Sequence, residues 1–454
     1  MEQKEWTHFI GIGGAGLSWL AKVLLELGFP VSGSDLKDSA SIHKLRSLGA
    51  KTYLGHKKEY LPSATRRVVI SSAIPPTNPE LVKARKLGLP VMLRAELLAE
   101  LMLRQKAIAV AGSHGKTTTA SMIAWCLEKN NLDPTVVIGG ELNNLGDNAK
   151  LGGGEYLVAE ADESDGSFLK LHPYIALVTN IEDDHLDYYG RQERIVDAFR
   201  QFLSLVPAEG FAVLGNEVLS VCRGRLDLRC ALYSYGLESG DYQARQIRLR
   251  EDCSQAQIYC QGKCLGQIEL HIPGKHNIYN ALGAVALCHR LGLEFSFIAE
   301  ALASFQGAKR RFQFIGAAKG IKIVDDYAHH PTEIMATLKA ARQWKPGRLW
   351  AVFQPHRFSR TKQLYEAFGD SFQEADYVII SEIYPAGESP IPGVTAQLIV
   401  DAVAKNQKPV VYFSRQEDLV QFLQSQCSSG DLVLTLGAGD IWQVGQALLN
   451  QLRN

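Results

Sequence analysis

A chain of 454 residues is too long for one hydrophobic core, since single cores stop growing at roughly 250–300 residues, so two or three domains are expected. Its 46% hydrophobic and 21% charged residues belong to a folded protein rather than a disordered one. Lys plus Arg and Asp plus Glu both total 48, so no overall charge excess draws the chain to nucleic acid or an anionic membrane, and any polyanionic ligand must be held locally.

The opening Met1-Glu2-Gln3-Lys4-Glu5-Trp6 carries acidic residues where an export signal is basic. No apolar stretch is long enough to span a bilayer. Of the eight cysteines, only Cys260 and Cys264 lie close together, and no second pair completes a zinc set. A cytoplasmic protein with reduced, structural thiols is the expectation.

Three blocks each begin with an apolar strand and a turn bearing functional residues. In the first, His8-Phe9-Ile10 runs into Gly11-Ile12-Gly13-Gly14-Ala15-Gly16 and then a helix to about residue 27. Gly11-x-Gly13-x-x-Gly16 matches the dinucleotide fingerprint, and Asp35 follows Gly16 by nineteen residues, after a strand-like 30–34. Such a loop places a diphosphate on a helix N-terminus with a ribose near the acid. NAD and a nucleotide sugar meet those demands equally, and a tight turn without a ligand is the third reading. Short apolar runs at 68–70 and 89–92 alternate with helical segments to about residue 104.

The second block opens with a strand at 107–111 and feeds Gly112-Ser113-His114-Gly115-Lys116-Thr117-Thr118-Thr119, followed by a helix to residue 129. A loop of this kind aims backbone N–H groups at phosphates, with a lysine for the terminal phosphates and a hydroxyl for Mg²⁺. The spacing G-x-x-G-K-T is two residues shorter than that of an ordinary P-loop. The rival reading is a glycine-rich turn with an exposed lysine. Strands at 156–160, 174–179 and 211–214 continue the block. Two of them end in acidic clusters, one containing Glu160, Asp162, Glu163 and Asp165, the other Glu182, Asp183, Asp184, His185 and Asp187. Clustered carboxylates beside a phosphate loop suit Mg²⁺, although either cluster alone reads equally as a solvated loop. From about 232 to 271 the alternation predicts a small antiparallel excursion.

The third block alternates helices with strands at 321–324, 349–353, 377–380, 410–413 and 432–436. Asp325-Asp326-Tyr327-Ala328-His329-His330-Pro331 ends one strand, and Gln354-Pro355-His356-Arg357-Phe358-Ser359-Arg360 ends the next. Two arginines three apart at a helix start suit a carboxylate. The expected fold class is α/β, with mainly parallel sheets flanked by helices and ligands at strand carboxyl ends.

Together these segments resemble the Mur ligase family over the whole length. The likeness extends to Ser71-Ser72-Ala73-Ile74, Pro273-Gly274-Lys275-His276-Asn277-x-x-Asn280, Arg310-Arg311-Phe312 and Tyr384-Pro385-Ala386-Gly387-Glu388. It implies three domains: a Rossmann-like UDP-sugar domain over 1–105, a P-loop-like ATP domain with the antiparallel excursion over 106–311, and a Rossmann-like amino-acid domain over 312–454. It implies an ATP-dependent ligase joining the lactyl carboxylate of UDP-N-acetylmuramate to L-alanine through an acyl phosphate, in peptidoglycan precursor synthesis. A sibling that recycles murein tripeptide is the alternative.

The implied cofactors are ATP and Mg²⁺, with Mn²⁺ able to substitute. The implied state is a monomer or weak homodimer, with no nucleic acid or membrane insertion. By resemblance, ATP is met by Gly112, Ser113, His114, Gly115, Lys116, Thr117 and Thr118, with His276, Asn277 and Asn280 at the adenine and Arg310 or Arg311 at the γ-phosphate. Asp326 meets the ribose or a phosphate. Thr117, Glu160 and His185 surround Mg²⁺. Gly11, Gly13, Gly14, Ala15, Gly16, Asp35, Ser71 and Ser72 receive the UDP-sugar, and Tyr327, His329, Arg357 and Arg360 the amino acid. Lys116, Arg310, Arg311 and His329 carry catalysis, with hinges expected near 104–106 and 310–312. Sibling ligases carry a carbamylated lysine some fifteen residues after the histidine of the Asp-His motif; here no lysine falls between Lys170 and Lys263.

Two readings from other classes stand beside this one. A nicotinamide-dependent oxidoreductase uses the first loop but leaves Lys116 and the double arginine without a task. A non-catalytic nucleotide switch binds ATP without needing the residues from Tyr327 to Arg360.

Overall fold

Strands that read as unbroken apolar runs are buried on both faces, as a parallel sheet covered by helices requires. Leu349–Phe353, Leu432–Leu436 and Ile175–Val178 are buried at every position. The computed structural model describes residues 5–71, 73–222 and 226–453. They group into two units, Met1–Tyr235 with Gly283–Phe297 and Gly236–Leu282 with Ile298–Asn454.

The first unit contains two sheets. β1 (Trp6–Ile10), β2 (Val31–Asp35), β3 (Lys51–Leu54), β4 (Thr65–Ile70) and β5 (Val91–Leu93) pair in the order β3-β2-β1-β4-β5, all parallel. The connection reverses at β1, so the Gly11–Gly16 turn lies at the carboxyl end of the strand where the order switches. β6 (Lys106–Ala111), β7 (Thr135–Leu142), β8 (Asp147–Lys150), β9 (Tyr156–Glu160), β10 (Ile175–Val178), β11 (Phe211–Gly215) and β12 (Ala231–Gly236) run β12-β11-β10-β6-β9-β7-β8. All their pairings are parallel except β7 with β8.

One apolar core serves both sheets, from Phe9, Leu20 and Leu24 through Leu97 and Met102 to Val178, Phe199 and Cys222. The helix Ala15–Glu26 crosses between them, and its Lys22 is paired with Asp147 at the β8 edge.

The second unit contains the antiparallel ribbon β13 (Tyr242–Leu249), β14 (Ser254–Cys260) and β15 (Lys263–Leu270). It also holds the sheet of β16 (Gln313–Ala318), β17 (Ile321–Asp326), β18 (Leu349–Phe353), β19 (Tyr377–Ser381), β20 (Val410–Phe413) and β21 (Leu432–Leu436), ordered β16-β17-β21-β18-β19-β20. Only β16 pairs antiparallel there. Separate apolar clusters cover the two faces, one around Leu338, Phe353 and Phe372, the other around Trp350, Leu423 and Leu448. Three mainly parallel sheets flanked by helices make this a three-domain α/β fold.

The antiparallel excursion starts later than its alternation predicts. Residues 231–235 pair parallel to β11 and extend the main sheet; the ribbon begins at Tyr242. Helix starts follow local chemistry. Asn78 accepts hydrogen bonds from Glu80 N and Leu81 N ahead of Pro79. Glu333 accepts from the backbone of His329 and His330 ahead of Pro331. Among the described residues no helix is long and apolar enough to cross a membrane.

Candidate functional site

The Lys116 loop leaves β6 and enters the helix Lys116–Lys129. Gly112 (φ 134°) needs to be glycine because a Cβ there would collide with the Thr179 hydroxyl. The backbone of β10's exit ties the loop down: Ser113 N donates to Asn180 O at 3.1 Å, His114 N to Asn180 Oδ1 at 2.8 Å, and Thr179 Oγ1 to His114 O at 2.6 Å. Glu182 N donates to Ser113 Oγ at 2.8 Å, and His114 Nε2 lies 3.3 Å from Glu182. The two strand ends that the sequence marks as acidic therefore flank the loop.

Lys116 Nζ donates to Gly112 O at 2.6 Å and to Glu163 Oε1 at 2.7 Å. Its side chain is 15% exposed, so it is not sealed in a dry interior. Burial lowers its pKa, but Glu163, Glu160 and Asp162 outweigh burial and raise it, keeping the ammonium charged. Thr117 Oγ1 and Gly139 N both donate to Glu160 Oε2 at 2.9 Å. His185, in left-handed backbone (φ 58°), lies 3.8 Å from Glu163 Oε1 and 3.5 Å from Asp184 Oδ2. Lys116, Thr117, Glu160 and His185 thus stand around one patch at the ends of β6, β9 and β10.

Glu163 is the residue that the sequence reading quoted but gave no role. Its carboxyl is buried between Lys116 and His185, and burial, reinforced by Asp162 and opposed by Lys116, pushes it up to about 7. Its Oε2 atom has no hydrogen-bond partner among the described residues.

In the first sheet, Gly13 N donates to Asp35 Oδ2 at 2.9 Å and Lys37 N to Asp35 Oδ1 at 3.2 Å. Asp35 therefore braces the glycine turn. Gly14 is the N-cap of the helix Ala15–Glu26, without a side-chain cap. Ser71 opens the turn after β4, its carbonyl accepting from Ile74 N at 3.2 Å; Ser72 and the Ala15 side chain lie outside the described residues. Arg94, which the sequence gave no reason to single out, lies against Gly16 and reaches Asp162 at 2.9 Å. Desolvation pushes the Asp162 carboxyl up, yet Arg94, Ser164 and Lys116 hold it at about 2.

In the second unit, three guanidinium nitrogens of Arg310 are committed within the fold: Nε donates to Asp325 at 2.9 Å, Nη1 to Gly439 O at 3.0 Å and Nη2 to Gly437 O at 2.6 Å. Arg311 is the more open neighbour, 29% exposed and 3.9 Å from Glu333. Both guanidiniums lie just over 5 Å from the Tyr327 ring, and Tyr327 meets His329 edge to face. Asp326 accepts from Phe312 N and Ala328 N at 2.7 Å each. Burial nonetheless raises its carboxyl to about 6, against the pull of Arg311.

His329 Nδ1 lies 3.0 Å from Tyr327 O; a carbonyl only accepts, so Nδ1 carries a proton, and in the neutral ring Nε2 is the atom with the lone pair. Arg357 caps the helix Phe358–Asp370 with φ 72°, a left-handed conformation rare for a side chain of its size. Arg360 is buried, 3.4 Å from His356 Nδ1. Burial, then His329 and the two arginines, lowers His356 to about 3, leaving it neutral. Ser359 is held by Glu388 through both N and Oγ.

Missed by the sequence reading is Gly437-Ala438-Gly439-Asp440, whose tight turn receives Arg310 and whose Asp440 accepts from Gln354 and Gln416. A strand followed by G-x-G-D and a helix was the available signal. At the start of the helix Lys275–Arg290, Asn277 Nδ2 donates to Pro273 O at 2.6 Å and Asn280 to Asn277 at 3.3 Å. Burial lowers His276 to about 4, so its ring is neutral.

A glycine turn bearing Lys116 beside acid-bearing strand ends in one unit, and an arginine-histidine cluster in the other, fit a nucleotide-dependent group-transfer enzyme. Family models match along most of the chain: the Mur ligase family catalytic domain at residues 7–106, the Mur ligase middle domain at 110–288 and the Mur ligase glutamate ligase domain at 310–439. The UDP-N-acetylmuramate–L-alanine ligase of Pelotomaculum thermopropionicum is 55% identical over 456 residues, covering 100% of this chain and 99% of the relative. That of Desulforamulus reducens is 53% identical, covering 98% and 97%. The crystal structure of the UDP-N-acetylmuramate–alanine ligase from Thermotoga maritima superposes with a TM-score of 0.84 at 28% identity, covering 98% and 99%; a murein peptide ligase from Psychrobacter arcticus gives 0.74 at 26%, covering 99% of each. The chain belongs to the Mur ligase family.

Proposed function

We propose that this enzyme ligates L-alanine to the lactyl carboxylate of UDP-N-acetylmuramate, using ATP, as a cytoplasmic step of peptidoglycan precursor synthesis. The observation that carries the reading is the joining of Lys116, Thr117, Glu160 and His185 at adjoining strand ends. Full-length relatives at 53–55% identity bear that activity in their names. The peptide-recycling alternative is represented by a structure at 26% identity and ranks second.

The chemical obstacle is that a carboxylate is a poor electrophile and repels ATP. Lys116 neutralises the terminal phosphates, and Arg311, the more exposed of the two arginines, serves the γ-phosphoryl group. A carboxylate oxygen bonds to γ-phosphorus as the bond to the ADP oxygen breaks. The amine of alanine then attacks the acyl carbon after losing a proton, for which His329 Nε2 is the acceptor. Phosphate leaves with the carboxylate oxygen. Arg357 and Arg360 hold the alanine carboxylate, Tyr327 packs beside it, and the Gly11–Gly16 turn holds the diphosphate.

The residues fit Mg²⁺: the Thr117 hydroxyl stands at the Glu160 carboxylate, donating to its Oε2, and Glu163 presents a buried oxygen without a hydrogen bond among the described residues. Thr117, Glu160 and His185 would hold the ion, and the chemistry it would supply there is neutralisation of phosphate charge. His276, Asn277 and Asn280 serve the adenine, and Asp326 the ribose or a phosphate. The functional divisions are 1–105, 106–311 and 312–454. Phosphate release in the presence of UDP-N-acetylmuramate, ATP and Mg²⁺, screened across amino acids with the product weighed, tests the reading. L-Alanine is expected to support release and add its residue mass. Release with murein tripeptide alone would transfer the assignment to the recycling reaction.

A further inference from the structure

The candidate site occupies the carboxyl ends of β6, β9 and β10; a recess in the same unit opens near the other end of β6. β6 runs six residues from Lys106 to Ala111, so its two ends are about 20 Å apart. The recess encloses about 280 Å³. Val23 and Leu27 from the end of the helix Ala15–Glu26, Leu101 of the helix Arg94–Met102, and Leu151 and Leu157 beside β7 wall it with aliphatic carbon. Arg104, Gln105 and the backbone of Gly152, Gly153 and Gly154 close it, and a more open recess of about 400 Å³ adjoins it along Arg104, Gln105 and Gly154. The backbone wall is fixed. A Cβ on Gly154 would lie 1.8 Å from Leu132 O, and one on Gly152 2.1 Å from Asp133 O. Gly154 N donates to Asp133 O at 2.9 Å, Gln105 Nε2 to Gly154 O at 2.6 Å and Gly152 N to Thr135 Oγ1 at 3.1 Å. The charges around the rim are mostly matched: Lys106 pairs with Glu155 at 2.5 Å, and Glu26 lies 3.5 Å from Lys22 and accepts from Leu151 N. Arg104 differs. Its side chain has no ion pair or hydrogen bond among the described residues, and its guanidinium lies 5.7 Å from the centroid of the Phe29 ring.

We propose that this recess is a second ligand site, separate from the reaction centre, for a small amphiphilic monoanion whose apolar body lies against Leu27, Leu101, Leu151 and Leu157 and whose carboxylate meets Arg104. The occupant follows from the walls. Aliphatic carbon on one side and a guanidinium without an acid on the other complement a molecule that is apolar at one end and anionic at the other. A dianion or polyphosphate has only one unmatched cation to meet, and a purely apolar molecule leaves that cation unused. The volume lies just under the lower bound of ligand clefts, roughly 300 Å³, so the body is a short chain or a single ring. The site stands whichever acid and amino acid the enzyme joins.

Calorimetry of the full chain with phenylbutyrate, phenylbutanol and phenylbutylamine, which share one apolar body and differ in the charge of the head, is the test. Phenylbutyrate is expected to bind with a dissociation constant of about 0.1–1 mM. Phenylbutanol and phenylbutylamine should bind at least about tenfold more weakly, having no charged hydrogen bond to Arg104. Arg104→Gln should bring phenylbutyrate down to the level of phenylbutanol. Leu151→Trp, which fills the recess, should abolish binding of both while a thermal melt shows a folded protein; Leu27→Phe takes its place should that variant not fold. A saturating ATP analogue should leave phenylbutyrate binding unchanged. No binding by wild type up to about 10 mM, equal affinity for the three probes, an Arg104→Gln variant that binds phenylbutyrate as wild type does, undiminished binding by the folded filled variant, or displacement by the ATP analogue overturns the proposal.

Discussion

Glu163 Oε1 lies 2.7 Å from Lys116 Nζ and 3.8 Å from His185 Nε2. One buried carboxylate thereby sets the position of both the lysine proposed for the phosphates and the imidazole proposed for Mg²⁺. Removing it disturbs the two together. Glu163→Gln is expected to lower kcat about 10–100-fold with a folded protein, since a neutral amide holds the ammonium less firmly. Lys116→Ala should cost about 10³-fold. Steady-state rates beside a thermal melt check both; a Glu163→Gln enzyme at full rate would remove Glu163 from the account.

Arg310 and Arg311 separate by what their nitrogens do. Arg310→Ala breaks three hydrogen bonds from a charged donor, one of them to a carboxylate, and leaves Asp325 without the cation that holds it down against the upward push of burial. A destabilisation of about 2–4 kcal/mol is expected. Arg311→Ala should leave unfolding within about 1 kcal/mol of wild type and cut kcat instead. Urea unfolding and turnover of the two variants decide it, and reversed effects would reassign the γ-phosphate arginine.

Asp326 supplies a pH signature. Burial raises its carboxyl from 3.8 to about 6, so the unfolded chain loses this proton first as pH rises. Between about pH 4 and pH 6 the native state binds more protons, and its stability falls with rising pH by about 2–3 kcal/mol from this group. Asp326→Asn cannot ionise. The stability lead of wild type over Asp326→Asn should therefore shrink across that window and stay level above it. Denaturant midpoints at pH 4, 5, 6 and 7 measure it; a constant difference would contradict the shift.

Arg357 holds a left-handed backbone at the mouth of the arginine-histidine cluster. Arg357→Ala is expected to raise the KM for L-alanine at least about tenfold while ATP affinity stays as in wild type. Arg357→Gly, which relieves the strained backbone, should lose alanine binding equally. Recovery of alanine binding in Arg357→Gly would mean the position matters for its backbone alone.

Parallel strands with both faces buried were legible because Leu349–Phe353 and Ile175–Val178 are continuous apolar runs. The edge strands Lys51–Leu54, Asp147–Lys150 and Gln313–Ala318 were not. They carry exposed or half-buried positions with no clean period, and their pairing is decided by the neighbouring strand. Among site residues, the Lys116 loop, Glu160 and His185 announced themselves by glycine spacing and clustered charge. Glu163, Arg94 and the Gly437–Asp440 turn were hidden because their importance lies in long-range partners: 47 residues separate Lys116 from Glu163, and 127 separate Arg310 from Gly437. Asp35 looked like a ribose ligand and also braces Gly13, a local role that spacing does not distinguish.

In the proposed reaction a carboxylate oxygen of the acid attacks the γ-phosphoryl group held by the Lys116 loop. UDP-N-acetylmuramate labelled with ¹⁸O in its carboxylate, turned over with ATP and L-alanine, tests it through the mass of the released phosphate. One labelled oxygen per phosphate is the predicted result, released about 10³-fold more slowly by Lys116→Ala. Unlabelled phosphate formed at the rate of amide synthesis would contradict it.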